Sequence, residues 1–302
     1  MLTPRSADAV FHPELRRYAR VLPRTVVTPL TLSVFRRLPA VRVRRSPAGM
    51  QSATLRSGVT MRVHRPPYGD NGSAVLWIHG GGFMLGDARM DDALCARLAA
   101  ETEATVAAVD YRLAPAHPCP AALDDCDEAL SWLAGHPDVD PARIAVAGAS
   151  AGGGLAAALA LRARDRGEIS LAAQVLIYPM LDDRTGLHTD SDAPTRRLWN
   201  AASNRLGWST YLDGAAPDGV APARHDNLGG LAPAWIGVGT LDVLHDEAVR
   251  YADRLAASGV PTELCTVPGA FHGFDAVAPR ARVARNFICA QRAWLCERLA
   301  DR

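Results

Sequence analysis

At 302 residues with 48% hydrophobic content, the chain can bury a large core, either as one α/β domain with an insertion or as two domains. A formal net charge of +1 excludes a global field for nucleic acid or an anionic membrane, and all 33 basic residues are arginine. Six cysteines (Cys95, Cys119, Cys126, Cys265, Cys289, Cys296) form no Cys-x-x-Cys pair and have no histidine ligand nearby, so they read as reduced thiols, not as a disulfide framework or a zinc site.

In chain order, Met1 to Ala9 lacks the pattern of an export leader, and no apolar stretch reaches the roughly eighteen residues of a membrane span. A cytoplasmic protein is expected. His12–Ala19 and Pro29–Arg37 each carry an apolar stripe with arginines opposite, which predicts two short amphipathic helices. They read as a lid over a pocket, as a membrane-surface anchor, or as plain packing on the main body. Pro39 to Gly49 is an arginine- and proline-bearing linker. Ser52–Arg56 and Val59–His64 alternate around Ser57-Gly58, a hairpin signal, so antiparallel strands open the sheet.

Ala74–Ile78 is apolar throughout, as a strand covered on both faces must be, and it ends in His79-Gly80-Gly81-Gly82-Phe83. Strands and helices then alternate: helix Asp91–Glu101, strand Ala104–Tyr111, helix Ala121–Ala134, strand Arg143–Ala147, helix Ala151–Arg166, strand Ala172–Tyr178. Later come strand Ala234–Gly239, helix Asp246–Ser258, strand Thr262–Val267 and a long final helix from about Arg280 to Leu299. This is the rhythm of βαβ units in a mostly parallel, doubly wound sheet, in which ligands bind beyond the carboxyl ends of the strands. The rhythm breaks between Leu181 and Gly230, a stretch with three large aromatics (Trp199, Trp208, Tyr211) and no clear strand, which reads as a helical insertion. Those aromatics are either pocket walls or the small core of the insertion.

The chemistry gathers at four predicted strand ends. Gly148-Ala149-Ser150-Ala151-Gly152 lies between a strand and an Ala-rich helix, where a sharp turn exposes the Ser150 hydroxyl at the positive end of that helix. An ordinary tight strand-helix turn gives the same five residues, so the rest of the chain has to decide. Asp242 directly follows a strand, and His272 sits in a glycine-flanked loop, Gly269-Ala270-Phe271-His272-Gly273-Phe274. His245 is the rival base, but it falls in the first turn of a predicted helix with no glycine around it. Asp246 and Glu247 suit the same helix start. The order Ser, Asp, His is that of a nucleophile, a carboxylate orienting the base, and the base on an α/β-hydrolase sheet. The triple glycine lets backbone N–H groups turn to one point, and neither Gly-x-Gly-x-x-Gly nor Walker spacing is present to suggest a nucleotide.

Together with Tyr111-Arg112-Leu113-Ala114-Pro115, Asp242-Val243-Leu244-His245-Asp246-Glu247 and Phe271-His272-Gly273-Phe274, these motifs resemble the hormone-sensitive-lipase-like family (bacterial family IV) of α/β-hydrolase carboxylesterases, over roughly residues 50 to 300. The resemblance implies an N-terminal cap segment at 1–49, a hydrolase core at 50–180 and 229–302, and a cap insertion at 181–228. It implies oxyanion donors at the N–H groups of Gly81, Gly82 and Ala151, a loop-shaping role for His79, and a pocket reaching Phe83, Ala149, Trp199, Trp208, Tyr211 and Phe274. Departures from the family pattern are Ala149, where many members carry an acid or threonine, and Ala116 and Cys119, where Glu and Phe are usual. The expected activity is hydrolysis of short- to medium-chain acyl esters through an acyl-enzyme, with neither a metal nor an organic cofactor. An amidase or deacetylase with the same triad is one alternative, and a non-catalytic small-molecule receptor is another, against which His272 argues. The expected partner is a small acyl ester, with no nucleic acid and no membrane span; a homodimer is left open.

Overall fold

The computed structural model describes residues 9–37, 49–187 and 193–300. The Pro39–Gly49 linker lies almost wholly outside the described residues, as does most of Met1–Ala9. Eight strands form one sheet: β1 (Gln51–Thr54), β2 (Thr60–His64), β3 (Ala74–Ile78), β4 (Thr105–Val109), β5 (Ile144–Ala149), β6 (Ala173–Ile177), β7 (Ala234–Gly239) and β8 (Thr262–Val267). Their spatial order is β1-β2-β4-β3-β5-β6-β7-β8. β1 pairs antiparallel with β2 and β2 antiparallel with β4, and every later pairing is parallel. Every residue of β3, β4 and β6 is buried, which suits strands covered on both faces by helices.

The helices are α1 (Arg16–Val21), α2 (Pro29–Arg37), α3 (Asp92–Thr102), α4 (Ala121–Ala134), α5 (Ala151–Arg166), α6 (Ala201–Leu212), α7 (His245–Ala257), α8 (Phe274–Val277) and α9 (Arg282–Ala300). α3 packs against α9, and α4 against α5, so that helices cover the parallel strands. Among the described residues no helix is long and apolar enough to cross a membrane.

The first predicted helix begins as a 3-10 turn, Pro13–Leu15, before α1 takes over; Pro13 fixes the entry, and the His12 ring accepts the Glu14 N–H. Between 193 and 230 the insertion holds α6 and a 3-10 turn, Pro222–Arg224. α6 starts where the Asn200 side chain accepts the Ser203 N–H at 2.9 Å, and it stops at Asp213 in the left-handed region. The N-terminal segment is sewn to this insertion by two backbone bonds, Leu198 N–H to Pro23 O at 3.0 Å and Val26 N–H to Leu198 O at 3.4 Å, and by side chains reaching for main-chain oxygens. Arg24 Nε donates to Pro194 O at 3.2 Å, Arg197 Nε to Ala19 O at 2.6 Å and Ser203 Oγ to Val27 O at 2.9 Å. The same segment also reaches the loop after β8, where His12 N–H donates to Gly269 O at 2.9 Å and Phe11 packs edge-on against Phe271.

Candidate active site

β5 ends at Ala149, and Ser150 turns the chain with φ +57° and ψ −120° before α5 begins. A non-glycine residue held there is strained, and the strain is fixed by backbone bonds on both sides. Ser150 N–H donates to Ile177 O at 2.8 Å, while its carbonyl accepts from Gly154 and Met180, each at 3.0 Å. The turn also demands a residue without a side chain at 152, because a Cβ there would lie 2.0 Å from Ile78 O. Small residues are therefore a steric condition for bringing α5 up against β3.

Three strand ends deliver three side chains to one place. The His272 Nδ1 atom lies 2.7 Å from Asp242 Oδ2, and its Nε2 lies 3.0 Å from Ser150 Oγ. A carboxylate only accepts, so Nδ1 carries the proton and Nε2 is left to accept from the serine hydroxyl. Asp242 is buried, and its other oxygen accepts the Leu244 N–H at 3.0 Å, which fixes the carboxylate before the imidazole meets it. The rival base stands elsewhere: His245 opens α7 and pairs with the exposed Asp246 at 2.8 Å.

The glycine loop after β3 is shaped from beneath. His79 Nδ1–H donates to Gly80 O at 2.7 Å, its ring stacks on Tyr111 at 4.2 Å, and the Tyr111 hydroxyl donates to His79 O at 3.0 Å. Arg112 is anchored to the buried Asp125 of α4 through its backbone N–H and its guanidinium, so the segment after β4 braces the segment after β3. Among the described residues the N–H groups of Gly81, Gly82 and Ala151 donate to no protein acceptor. Gly82 takes φ +61°, and a Cβ there would lie 2.3 Å from Trp199 Cη2.

Trp199 therefore rests on the glycine loop, and its ring centroid lies 6.2 Å from that of His272. Phe83 stacks on Tyr211 at 4.2 Å and meets Trp208 at 5.1 Å, all three buried. These three join the insertion to the glycine loop. Ala149 closes β5 opposite Ile177 of β6 and is half-buried. Phe274 is placed differently: it is wholly buried, with its ring 5.0 Å from Phe287 of α9. Two buried residues beside His272 carried no signal in the sequence, Tyr178 and Asp275. The only local hints were their positions, one directly after a strand and the other three residues past the histidine.

Residues 75–276 match a family described as alpha/beta hydrolase fold. The chain is 39% identical over 277 residues to carboxylesterase NlhH of Mycobacterium tuberculosis, covering 85% of this chain and 84% of that one. It is 41% identical over 222 residues to esterase LipI of the same organism, covering 70% and 69%. Among solved structures, a bacterial heroin esterase superposes with a TM-score of 0.85 at 36% identity, covering 96% of this chain and 98% of that one. With a strained serine between β5 and α5, a Ser-Asp-His chain order and relatives of this kind, the chain belongs to the hormone-sensitive-lipase-like family (bacterial family IV) of α/β-hydrolase carboxylesterases.

Proposed function

We propose that this chain is a serine carboxylesterase in which Ser150 is the nucleophile, His272 the base and Asp242 the group that orients it. The observation that carries this reading is the unbroken hydrogen-bonded line from Asp242 through His272 to Ser150. As Ser150 Oγ attacks the acyl carbon, its proton passes to His272 Nε2, and Asp242 stabilises the imidazolium so formed. The charge on the former carbonyl oxygen is met by the free N–H groups of Gly81, Gly82 and Ala151, each such donor being worth about 10² to 10³ in rate. His272 then gives the proton to the departing alkoxide. Water enters, the same base activates it, and the acyl-enzyme is hydrolysed to a carboxylic acid.

We assign residues 1–49 and 181–228 to a cap, and 50–180 with 229–302 to the hydrolase core; the bonds from Arg24, Arg197 and Ser203 support that division. Trp199, leaning on the glycine loop, bounds the acyl side. Rates should climb with acyl length at about 0.8 kcal/mol per buried methylene and then fall once the cap is met, with a peak at roughly four to eight carbons. We place the protein in the cytoplasm, a reading that its six unpaired cysteines support. The test combines a fluorophosphonate probe with nitrophenyl esters of increasing chain length. Labelling at Ser150 together with turnover is expected. Binding of ester without labelling or turnover would make the chain a receptor, and a rate still rising at sixteen carbons would remove the cap from the acyl site.

A further inference from the structure

The scheme above leaves two buried side chains beside His272 unused. Tyr178 directly follows β6 and takes φ +35°, a conformation that a bulky residue adopts only when its surroundings impose it. Its backbone is held by a bond from its N–H to Gly237 O at 2.6 Å. Its ring lies 4.7 Å from the His272 ring in a T-shaped contact at 62°, and its hydroxyl donates to Asp275 Oδ1 at 3.0 Å. Asp275 sits in the first turn of α8, beyond the left-handed Gly273 that turns the chain away from His272. The Tyr178–Asp275 bond therefore runs from the end of β6 to the helix that follows the histidine and closes a loop beside the imidazole.

The hydrogen bonds to Asp242 and Ser150 grip the imidazole at its two nitrogens, but they leave it free to rock out of its own plane. A side contact removes that freedom, and a ring can serve as a stop only if it is itself fixed. The hydroxyl bond to Asp275 fixes it. Burial raises Asp275 above the usual carboxylate range, and the Tyr178 hydroxyl is the largest influence opposing this. Burial, followed by the charge of Asp275, raises Tyr178 well above its ordinary value and keeps it a neutral donor.

We infer that Tyr178 and Asp275 form a positioning pair: the Tyr178 ring holds the His272 imidazole in the attitude that reaches both Ser150 and Asp242, and Asp275 holds the Tyr178 ring. The inference rests on the reading of His272 as the base. Neither residue touches the acyl carbon, so both act on kcat through the histidine and leave the substrate's own contacts alone.

The experiment measures kcat and KM on a nitrophenyl ester, and the fluorophosphonate labelling rate of Ser150, for Tyr178→Phe, Asp275→Leu, the double variant and Asp275→Asn. Tyr178→Phe keeps the ring and loses only the tether. It is expected to lower kcat and the labelling rate roughly ten- to a hundredfold, the scale of a small misplacement of a reacting group, with KM within about twofold. Asp275→Leu should match it, the double variant should be no worse than either single, and Asp275→Asn, which retains an oxygen acceptor, should lose less than Asp275→Leu. Wild-type kcat in Tyr178→Phe, losses that multiply in the double variant, or an effect confined to KM would each overturn the pair. A wild-type chain that turns over no ester and takes no label would bring down the triad reading, and this inference with it. An active wild type with an indifferent Tyr178→Phe would bring down the inference alone.

Discussion

Ser150 and Trp199 approach the same imidazole, but they are tied to different parts of the molecule. Ser150 is fixed by backbone on backbone, with its N–H on Ile177 and its carbonyl under Gly154 and Met180, in a setting where the neighbouring positions are alanine and glycine. Trp199 belongs to a segment tied to the amino-terminal residues, by backbone bonds of Leu198 with Pro23 and Val26 and by Arg24, Arg197 and Ser203 reaching main-chain oxygens some 170 or more positions away. Bonds to the strands of a parallel sheet break only when the sheet does, whereas bonds between two peripheral segments can open locally. The difference teaches that Ser150 is as rigid as the core, while Trp199, which we assign to the acyl wall, sits on the more easily opened part of the molecule.

The largest expected effect lies on the rigid side. Ser150→Ala and His272→Ala should each lower kcat by about 10⁴ to 10⁶ with little change in melting temperature, measured on a nitrophenyl ester and by thermal unfolding. Asp242→Asn should cost somewhat less, on the order of 10⁴, since the geometry survives and the tautomer does not. Near-full activity in His272→Ala combined with its loss in His245→Ala would move the base to α7.

Gly82→Ala tests the joint between the two regions. The added carbon falls 2.3 Å from Trp199, at a φ of +61° that residues with side chains rarely adopt. It should lose about 10² to 10³ in kcat through one displaced oxyanion donor. Trp199→Ala comes next, with about tenfold or less in kcat and a longer preferred acyl chain; an unchanged chain-length profile would detach Trp199 from the acyl site.

The smallest effect concerns stability. Glu247, at the start of α7, is buried and accepts the Leu181 N–H at 2.6 Å. Burial pushes it up to about 8, against the pull of that N–H. An unfolded glutamate releases its proton near 4.5. Between these values the folded state binds more protons than the unfolded one, so this group's contribution is full below about 4.5 and is lost as pH rises through about 8. Glu247→Gln cannot titrate, so its urea midpoint should fall less than that of the parent between about pH 5 and pH 8. Parallel midpoints for the two proteins would mean that Glu247 is not the titrating group.

Apolar continuity made the sheet legible. β3, β7 and β8 run over the residues read from the chain, as do α2, α4 and α5, because their ends coincide with glycine, proline or a change of period. α3 slipped by one residue at each end, and the four-residue α8 was not read, being too short to show a helical repeat. Ser150, Asp242 and His272 could be singled out because each stands in a turn directly after a strand, a local property. The proximity of Tyr178 to His272 depends on φ at one residue and on where α8 begins, and neither is written in residue spacing. Asp275 stands three residues past His272, and that nearness is what lets one short helix turn carry it back to Tyr178.

The double attachment of the N-terminal segment bears on the order in which the molecule is built. Residues 9–27 leave the ribosome before their docking partners, which are 194–204 and then the Gly269–Phe271 loop beside the histidine. Arg197 meets Ala19 across 178 positions, and contacts of such separation form late. Until Phe271 is made, Phe11, buried in the finished protein, lacks the ring it packs against. A chain shortened at its carboxyl end would therefore expose apolar side chains at its amino end, and its solubility would be governed by residues it no longer has.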